Sequence, residues 1–560
     1  MSDALTFDDA VAAVTGPGGS FEVIEGEIAG RPMPVFAAAP PSIRSLVDLA
    51  RMRADDEYLI FEDERWTFGS LADGVDRVGA MLVEQYGVEP GDRVGIAMRN
   101  YPEWITVYLA TVSIGAIAVA YNAWWTTEEL DFAFGDSEPT VVFVDAERLP
   151  RVEPLLAGAP FRVNAVRTDS ALPDGVDRWD DVVPAEASLP PVEIDPDADA
   201  HILYTSGTTD HPKGAVSSHR AVLSALLAFG ARGAVAGLQA PPSEPSPYPN
   251  CYILCVPLFH VTGLVPVMLG SFTAGFKLVM MYKWDPARAL ELIERERITV
   301  LVGVPTMSWD LLECPEFDQR DTSSLVSVGG GGAPAPPELV KRIEENFRRG
   351  RPSIGYGMTE TNAYGPQNSG DDYVAHPTST GRAIPILKVA VFDDDGRQLP
   401  TNEQGEIRFR GPMVIRGYWK RPDATAETLV DGWLRSGDIG RIDDEGFVYV
   451  EDRAKDMVLR GGENIGSAEV EAVLYQHPSV YEAAVFGIPH HRLGEELVAA
   501  IMVREGAMLT ADEIQRHVGE HLAPFKVPTV VEFYSSTLPR NANGKIVKRA
   551  LRDDLVERRA

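Results

Sequence analysis

The sequence predicts an α/β protein in which a large N-terminal domain, made of layered α/β subdomains and a β-rich subdomain, precedes a small α+β domain. Three observations support this prediction. Strand-like and helix-like segments alternate through the middle of the chain, short strands joined by Asp/Gly turns follow Gly381, and a compact mixture of helices and strands begins after Asp456. A chain of 560 residues also exceeds one ordinary core. We therefore expect an N-terminal domain at 1–454 and a C-terminal domain at 455–560.

Short apolar runs in the middle of the chain are typical of buried strands in a mostly parallel sheet. They lie at residues 200–204, 252–259, 276–281, 299–305 and 324–330. Helical segments are predicted between them. These lie at residues 219–232, at 263–275 and from Pro286 onward, where Asp285 is placed to cap the helix.

The later part of the chain predicts two further units. "LKVAVFDDDGRQLP", "GEIRFRG" and "GFVYVEDRAKDMV" are typical of short strands joined by tight turns. "SAEVEAVLYQHP", "VYEAAVFGIP", "ELVAAIMV", "TADEIQRHVGEHL" and "VPTVVEFY" then alternate between helix and strand patterns. The segment at 239–250 is rich in proline, and we expect an extended surface loop there.

The composition excludes some classes of function. Hydrophobic residues make up 45% of the chain and charged residues 24%, as in ordinary globular proteins. The 51 basic and 83 acidic side chains give a formal net charge of −32. This charge argues against a general nucleic-acid binder. The net charge does not exclude binding of an anionic small molecule at a local basic site.

The three cysteines, Cys251, Cys255 and Cys314, indicate a reducing compartment, and we expect a cytoplasmic protein. No second pair of ligands lies near Cys251 and Cys255 in the sequence. Buried thiols are therefore expected there rather than a zinc site. The first residues lack the basic and apolar regions of a signal peptide.

One apolar run, at residues 105–125, approaches the length of a membrane span. Gly115 and Asn122 interrupt it, and no basic flank follows. We interpret the run as a buried helix leading into a strand, with a membrane span as the alternative.

The stretch "YTSGTTDHPKG" at 204–214 concentrates small hydroxyl side chains, two glycines and one lysine. Such residues let backbone N–H groups approach an anion closely, and Lys213 adds a mobile positive charge. We expect a strand at 200–204 before this loop and a helix at 219–232 after it, an order that commonly holds phosphate. The lysine precedes Gly214, unlike the order in a Walker loop. A polar surface turn is the alternative.

Seven separated motifs then follow one another in a recognisable order. They are "YTSGTTDHPKG", "VPLFHVTG", "GGGGAP", "GYGMTE", "LRSGD", "EDRAKDMVLRGGENI" and "LPRNANGKIVKR". Together they resemble the superfamily of adenylate-forming enzymes, and acyl-CoA synthetases in particular. The resemblance implies ATP, Mg²⁺ and CoA, a mobile C-terminal domain, and a reaction in two steps. A carboxylate attacks the α-phosphate of ATP with release of pyrophosphate, and a thiol then displaces AMP.

The resemblance assigns the phosphate loop to the β- and γ-phosphates. Its implied contacts are Thr205, Ser206, Gly207, Thr208, Thr209 and Lys213. Two glycine-rich segments would flank adenine and the acyl pocket. Their implied contacts are Gly332, Ala333, Pro334, Gly355, Tyr356 and Gly357. Alone, "GGGGAP" could be a flexible loop.

The resemblance also implies the polar residues of the reaction. Thr359 would contact the α-phosphate, and Glu360 would bind Mg²⁺, a cation that prefers oxygen ligands. Asp438 would contact ribose, and Arg453 would contact ribose and phosphate. Alone, Glu360 could be a helix-start carboxylate, Asp438 a turn aspartate and Arg453 a surface charge.

Two residues are implied at the carboxylate itself. His260 would position the carboxylate rather than act as a base, because a carboxylic acid is already ionised near pH 7. Lys545 would reach in from the C-terminal domain and bridge the carboxylate and the α-phosphate. Without the resemblance, His260 would be read as a packed histidine and Lys545 as a solvated surface lysine.

The resemblance places a hinge at Lys455, about which the C-terminal domain rotates between the two steps. Gly461 and Gly462 would then lie beside the pantetheine arm of CoA, where glycine permits close approach. Ser467 departs from the pattern, because proline is frequent at that position.

The sequence identifies the type of reaction more narrowly than it identifies the carboxylic acid substrate. We expect a medium- or long-chain fatty acid or a related aliphatic acid, as in fatty-acid metabolism, because the glycines at 329–332 are small. An aryl acid is the runner-up, and an enzyme that charges a carrier protein is a further alternative, although no carrier domain is expected after residue 560. A nucleotide-binding regulator without turnover and a serine hydrolase are disfavoured, the latter because G-x-S-x-G is absent. We expect no nucleic-acid partner and no stable membrane span; peripheral membrane contact and a homodimer stay open.

Overall fold

The computed structural model describes residues 5–205, 212–239, 246–453, 456–460, 463–490 and 492–559. The α-helices within these ranges are α1 Phe7–Thr15, α2 Arg44–Arg51, α3 Phe68–Glu84, α4 Pro102–Ser113, α5 Thr127–Ser137, α6 Leu149–Val152, α7 Trp179–Val182, α8 His219–Gln239, α9 Gly270–Ala274, α10 Pro286–Glu296, α11 Pro305–Leu312, α12 Pro337–Asn346, α13 Gly370–Ala375, α14 Pro422–Thr428, α15 Ser467–Leu474, α16 Ala511–His521 and α17 Lys548–Arg559. Short 3₁₀ turns occupy Glu153–Leu155, Phe317–Gln319, Thr359–Thr361 and Pro524–Lys526.

The strands are β1 Val23–Ile28, β2 Arg31–Phe36, β3 Glu57–Phe61, β4 Glu64–Thr67, β5 Arg93–Ala97, β6 Ile117–Ala120, β7 Val141–Asp145, β8 Arg162–Val166, β9 Val176–Arg178, β10 Asp199–Tyr204, β11 Gly214–Ser218, β12 Cys251–Leu254, β13 Lys277–Met280, β14 Val300–Gly303, β15 Ser327–Gly331, β16 Arg351–Gly355, β17 Gln367–Ser369, β18 Lys388–Phe392, β19 Gly405–Arg410, β20 Gly417–Tyr418, β21 Leu429–Val430, β22 Trp433–Ile442, β23 Val448–Arg453, β24 Val458–Arg460, β25 Glu463–Ile465, β26 Val480–His490, β27 Gly494–Val503 and β28 Val530–Tyr534.

Two mostly parallel sheets of eight strands form the layered part of the N-terminal region. The first runs β20-β11-β10-β6-β5-β7-β8-β9 and the second β17-β16-β15-β14-β12-β13-β3-β4. Antiparallel pairs occur at the edges, at β10–β11 and β11–β20 in the first sheet and at β16–β17 and β3–β4 in the second. The predicted α/β layers are therefore confirmed, as is the helix from Pro286, whose N-cap Asp285 accepts the Arg288 N–H at 2.9 Å.

The strand predicted at 252–259 is shorter in the structure. It ends at Leu254, because the buried side chain of Asn100 draws the following backbone out of the sheet. The amide of Asn100 donates to the Val256 carbonyl at 3.0 Å and accepts the Leu258 N–H at 2.8 Å. A side chain so far away in sequence could not be read from the local pattern.

The helix predicted at 263–275 forms in two parts. Its first part, Gly263–Leu269, is a π-helix that contains Pro266, and α9 completes it. Proline has no N–H to donate to the preceding turn, which breaks the regular α-helical ladder. Pro266 faces the large cavity described below.

The later units also match the prediction. A five-stranded antiparallel sheet contains β18, β19, β21, β22 and β23. A second five-stranded sheet, of β24 to β28, packs with α15, α16 and α17 around two apolar clusters that contain only residues after Asp456. The predicted small α+β unit is therefore present, and the predicted boundary at 454/455 falls outside the described residues.

The apolar run at 105–125 is a buried helix and strand, as predicted. It comprises α4 and β6, and their side chains are enclosed. A different helix, α8, is long and apolar enough by length and composition to cross a membrane, but 56% of its most apolar stretch is buried inside the protein. Cys251 and Cys255 are buried free thiols, as predicted, and burial raises the pKa of each to about 12.

The C-terminal unit docks against α11 of the N-terminal region. The rings of Trp309 and Tyr475 stack with centroids 6.1 Å apart. Arg504 forms an ion pair with Glu313 at 2.5 Å. These contacts hold the C-terminal unit over the carboxyl ends of the strands in the second sheet.

Candidate active site

A cavity of about 1120 Å³ lies between the second sheet and the C-terminal unit. Several strands of that sheet end at the cavity, and the residues just after them line it, including His260 after β12, Val304 after β14, Gly332 after β15 and Gly357 after β16. Ligands of α/β sheets bind at this edge, beyond the carboxyl ends of the strands. The C-terminal unit contributes Lys545 to the same cavity.

β15 requires glycine because its neighbouring strands lie too close for a side chain. A Cβ atom on Gly329 would lie 1.9 Å from the Ser353 carbonyl oxygen, and one on Gly331 would lie 2.3 Å from the Gly355 carbonyl oxygen. The backbones of β15 and β16 therefore exclude larger side chains there. Only Gly332, with φ +80°, would leave a Cβ free of close contacts. The sequence predicted that the glycines at 329–332 enlarge the acyl pocket. In the structure, Gly329 and Gly331 mainly allow β15 and β16 to lie close together.

Asp438 stands at the centre of a buried hydrogen-bonded group. It faces Arg453 across the β22–β23 pair and forms an ion pair with it, with Nε 3.0 Å from one carboxylate oxygen. The Tyr356 hydroxyl donates to the other carboxylate oxygen at 2.6 Å. Burial, and then the charge of Asp438, raises the pKa of Tyr356, so the phenol stays protonated. The predicted residues Tyr356 and Arg453 therefore both contact the carboxylate of Asp438 and orient it.

Glu360 is a buried carboxylate beside the cavity. It lies in the Thr359–Thr361 turn and accepts the Tyr418 hydroxyl at 2.7 Å. Burial raises its pKa, while the Tyr418 hydrogen bond and the positive charges of Arg453 and Lys213 oppose this rise. The site thus favours either a proton or a cation on Glu360.

Glu360 suits a magnesium ion that is shared with phosphate. Among the described residues, no group of three or more His, Cys, Asp or Glu side chains is arranged to hold a metal ion by itself. Mg²⁺ commonly takes one or two carboxylates and completes its shell with water and phosphate oxygens. A single buried carboxylate near Lys213, at the end of the loop predicted to bind phosphate, is consistent with that mode.

The loop within the motif at 204–214 joins two strands, β10 and β11. The strand–loop–helix order predicted from the sequence is therefore wrong, and the order is strand–loop–strand. Residues 214–218 form β11, which pairs with β10 on one side and β20 on the other. Pairing on both edges stabilises β11, and α8 begins at His219, where the sequence predicted it. In the chain, β11 therefore separates the loop from the N-terminus of α8.

The ends of this loop are fixed by a hydrogen bond from the Thr205 N–H to the Lys213 carbonyl at 2.9 Å. The Lys213 ammonium lies 5.2 Å from the centroid of the Tyr418 ring. It therefore lies near the phenol that binds Glu360. Ser206, Gly207, Thr208 and Thr209 lie outside the described residues.

Lys545 enters the cavity on a rigid turn. The Asn541 side-chain oxygen accepts the N–H groups of Asn543 and Lys545, each at 3.0 Å. Gly544 has φ +80° and its carbonyl accepts the Thr306 hydroxyl at 3.3 Å, which ties the turn to the N-terminal region. Burial, and then the charge of Arg453, lowers the pKa of Lys545 to about 8.

His260 lines the same cavity. Its Nδ1 accepts the Thr262 N–H at 3.3 Å. Burial, with a smaller contribution from Lys545, lowers the pKa of His260 to about 4. The imidazole is therefore neutral near pH 7 and Nε2 carries its proton, so it can donate a hydrogen bond to a carboxylate.

The structure brings together most of the predicted residues that it describes. Those that line the cavity are Thr205, Lys213, His260, Gly332, Gly355, Gly357, Thr359, Glu360, Arg453 and Lys545. Tyr356 and Asp438 form the hydrogen-bonded group beside it. Ala333 and Pro334 follow Gly332 but do not line the cavity. Lys455, Gly461 and Gly462 lie outside the described residues.

Sequence reasoning missed three contributors. Tyr418 binds Glu360, Asn541 shapes the Lys545 turn, and Arg232 lies on the α8 face of the cavity. Asn541 lies within a quoted motif, which could have been read as a turn. Tyr418 and Arg232 carry no local signal, because their importance depends on which distant segments pack against them.

Comparisons with known proteins identify the family of the chain. The family model described as "AMP-binding enzyme" matches residues 47–419, and "AMP-binding enzyme C-terminal domain" matches 469–545. A long-chain-fatty-acid–CoA ligase of Mycobacterium tuberculosis is 33% identical over 88% of this chain and 93% of its own. A feruloyl-CoA synthase of an Amycolatopsis species is 36% identical over 87% of this chain and 93% of its own.

A solved structure extends the likeness to three dimensions. ATP-bound MatB from Rhodopseudomonas palustris superposes with a TM-score of 0.79 at 31% identity, and the alignment covers 91% of this chain and 98% of that one. The family match, the identity over nearly the whole chain and the shared fold all agree with the resemblance found in the motifs. The chain therefore belongs to the AMP-binding enzyme family, and it is an ATP-dependent acyl-CoA ligase of the adenylate-forming superfamily.

Proposed function

We propose that the enzyme joins a medium- or long-chain fatty acid, or a related aliphatic acid, to CoA through an acyl-AMP intermediate. In the first step a carboxylate oxygen bonds to the α-phosphorus of ATP, the bond to the β-phosphate breaks and pyrophosphate leaves. In the second step the sulfur of CoA bonds to the acyl carbon and AMP leaves, while the thiol proton passes to solvent. The convergence of Lys545, from the C-terminal unit, with His260 and Glu360 in one cavity is the observation that carries this proposal.

The first step needs negative charge to be neutralised where two anions meet. Lys545 bridges the carboxylate and the α-phosphate, and its turn holds the ammonium in place. His260 donates a hydrogen bond to the carboxylate as a neutral imidazole. Thr359 contacts the α-phosphate. A Mg²⁺ ion held by Glu360 would supply further positive charge to the phosphates.

The nucleotide is held by two groups. Thr205 and Lys213, with the intervening residues 206–209, bind the β- and γ-phosphates. Asp438 accepts the ribose hydroxyls, and Arg453 orients Asp438. Gly355, Tyr356 and Gly357 flank adenine, with Gly332, Ala333 and Pro334 on the other side.

Part of the cavity wall is apolar, which is compatible with an aliphatic acyl group. Apolar side chains supply much of the lining, namely Phe229, Ala236, Tyr252, Val261, Pro266, Val302 and Val304. An aryl acid is the alternative, since the chain resembles a feruloyl-CoA synthase as well as a fatty-acid ligase. Charging of a carrier protein instead of CoA is the second alternative.

The second step uses a different arrangement of the C-terminal domain. Lys545 and the segment 460–465 cannot both occupy the site, so we place a hinge at Lys455 between domains 1–454 and 455–560. Gly461 and Gly462 then border the pantetheine arm. The enzyme works in the cytoplasm, without a nucleic-acid partner.

Pyrophosphate release tests the proposal. The purified enzyme is given ATP and Mg²⁺ with straight-chain, branched, aryl and bicyclic acids, each with and without CoA. We expect AMP and pyrophosphate only when an acid is present, and a thioester only when CoA is present. Formation of ADP would overturn the proposal, because it would mean attack at the γ-phosphate. A marked preference for aryl acids would favour the alternative acid.

A further inference from the structure

One face of α8 borders the cavity and carries a buried arginine. Phe229, Arg232, Gly233 and Ala236 lie at positions i, i+3, i+4 and i+7, and all four line the cavity. The Arg232 side chain is enclosed, with 4% of the residue exposed. A Cβ on Gly233 would meet no atom within 4 Å, so the space next to Arg232 is open.

The guanidinium group of Arg232 has few hydrogen-bond partners among the described residues. Within the described residues, Nε and Nη1 have no hydrogen-bond partner, and Nη2 reaches the Gln367 carbonyl at a long 3.4 Å. Arg232 forms no ion pair with the part of the chain that the structure describes. Asp372, whose charge acts on Arg232, is bound to Arg382 at 2.7 Å.

This arrangement is costly unless a ligand completes it. Arginine stays charged in proteins, and a buried charge without partners is strongly unfavourable. The face of Phe7 lies 5.4 Å from the guanidinium carbon, but a ring cannot accept the free N–H groups in the way that oxygen does. An oxygen acceptor that entered the cavity would find two unused donors.

Arg232 lies on a different element of the cavity wall from the residues assigned to the reacting end of the substrate. The activated carboxylate belongs beside Lys545 and His260, whereas Arg232 lies between α8 and β17, next to Gln367. An acyl group that fills the cavity would therefore meet Arg232 along the α8 wall and not beside His260 or Lys545.

We propose that Arg232 binds an oxygen acceptor, a carboxylate or a ketone carbonyl, on the distal part of the acid. The enzyme then prefers oxygen-bearing aliphatic acids over plain acids of the same length. This inference rests on the proposed function, because it assigns one wall of the acyl cavity and narrows the substrate class.

A matched set of acids tests the inference. Octanoic acid, 7-oxooctanoic acid and octanedioic acid have the same chain length, and kcat/KM for pyrophosphate release is measured for each. We expect one or both oxygen-bearing acids to exceed octanoic acid by about 10- to 100-fold, the range of a hydrogen bond to a charged group. Which of the two is preferred identifies the acceptor.

Substitution then assigns the preference to Arg232. Arg232→Met should abolish the preference while turnover of octanoic acid persists, and Arg232→Lys should keep part of it. Arg220→Met is the matched control, because Arg220 lies on the same helix but pairs with Asp197 at the surface. The control should keep the full preference.

Two results would overturn the inference. One is a wild-type enzyme that turns over all three acids equally, and this result needs no variant to fold. The other is an Arg232→Met protein in which kcat/KM falls by the same factor for every acid, which would indicate a structural role. Both leave the proposed function intact, since that fails only if no acid releases pyrophosphate.

Discussion

The hydroxyl of Tyr418 donates a 2.7 Å hydrogen bond to the carboxylate of Glu360. The two residues lie 58 positions apart, and β20 brings the tyrosine beside the turn that carries the glutamate. Burial raises the pKa of Glu360, and this bond lowers it. Tyr418 therefore helps to keep the carboxylate ionised, the form that binds a cation.

Tyr418→Phe should make Mg²⁺-dependent adenylation more sensitive to acid. The pKa of Glu360 rises when the donor is lost, so protons compete with Mg²⁺ at a higher pH. We expect a loss of about tenfold in kcat/KM near pH 6 and a smaller loss near pH 8, with the apparent KM for Mg²⁺ raised. Tyr449→Phe, which removes a hydroxyl from the more exposed Asp443, is the control. An equal loss at both pH values would contradict the assignment.

The sequence predicted the layered fold and the small terminal unit from local periodicity, and the resemblance carried by its motifs predicted ten of the residues that line the cavity. Local periodicity missed β11, which gains its stability from neighbours on both edges, and it overextended β12, which Asn100 ends from a distance of over 150 residues. Arg232 was missed for the same reason. Its free donors become visible only when α8, β17 and the cavity are seen together.

Lys545→Ala should separate the two half-reactions. The ammonium serves only where carboxylate and α-phosphate meet, so adenylate formation should fall by about a thousandfold or more, in line with loss of a buried charge at a developing bond. Transfer from a chemically supplied acyl adenylate to CoA should persist within a few-fold. Pyrophosphate exchange and thioester formation are measured separately. Lys341→Ala, on an exposed part of α12, is the control. Equal loss of both half-reactions in a folded protein would indicate a structural role.

The pH dependence of adenylation should report on Lys545. Burial lowers its pKa to about 8, so the ammonium loses its proton well below the pH at which a free lysine does. We expect kcat/KM for pyrophosphate exchange to fall about tenfold per pH unit above 8. Lys545→Arg should be slower but should lack this decline up to pH 10, because guanidinium stays charged. A decline that persists in Lys545→Arg would assign the titration to another group.

Ser467 joins the two parts of the chain through a buried polar group. Its N–H and hydroxyl both donate to Asp452 of β23, and the hydroxyl accepts from Lys548 at 2.6 Å. Lys548 also pairs with Glu471 at 2.7 Å. The serine that departs from the family pattern thus makes contacts that proline could not make.

Ser467→Pro should loosen the arrangement that adenylation requires. Ser467 is the first residue of α15, where proline is tolerated, so the helix itself should persist. What is lost is the backbone and hydroxyl donors to Asp452, about 1–3 kcal/mol for a buried carboxylate. We expect a melting temperature lower by several degrees and adenylation slowed severalfold, while CoA transfer from a supplied adenylate is spared, because that step uses a rotated domain. Ser467→Ala keeps the N–H and should give an intermediate result. If Ser467→Pro matches the wild type in melting and in both half-reactions, the contacts seen here do not stabilise the adenylating arrangement.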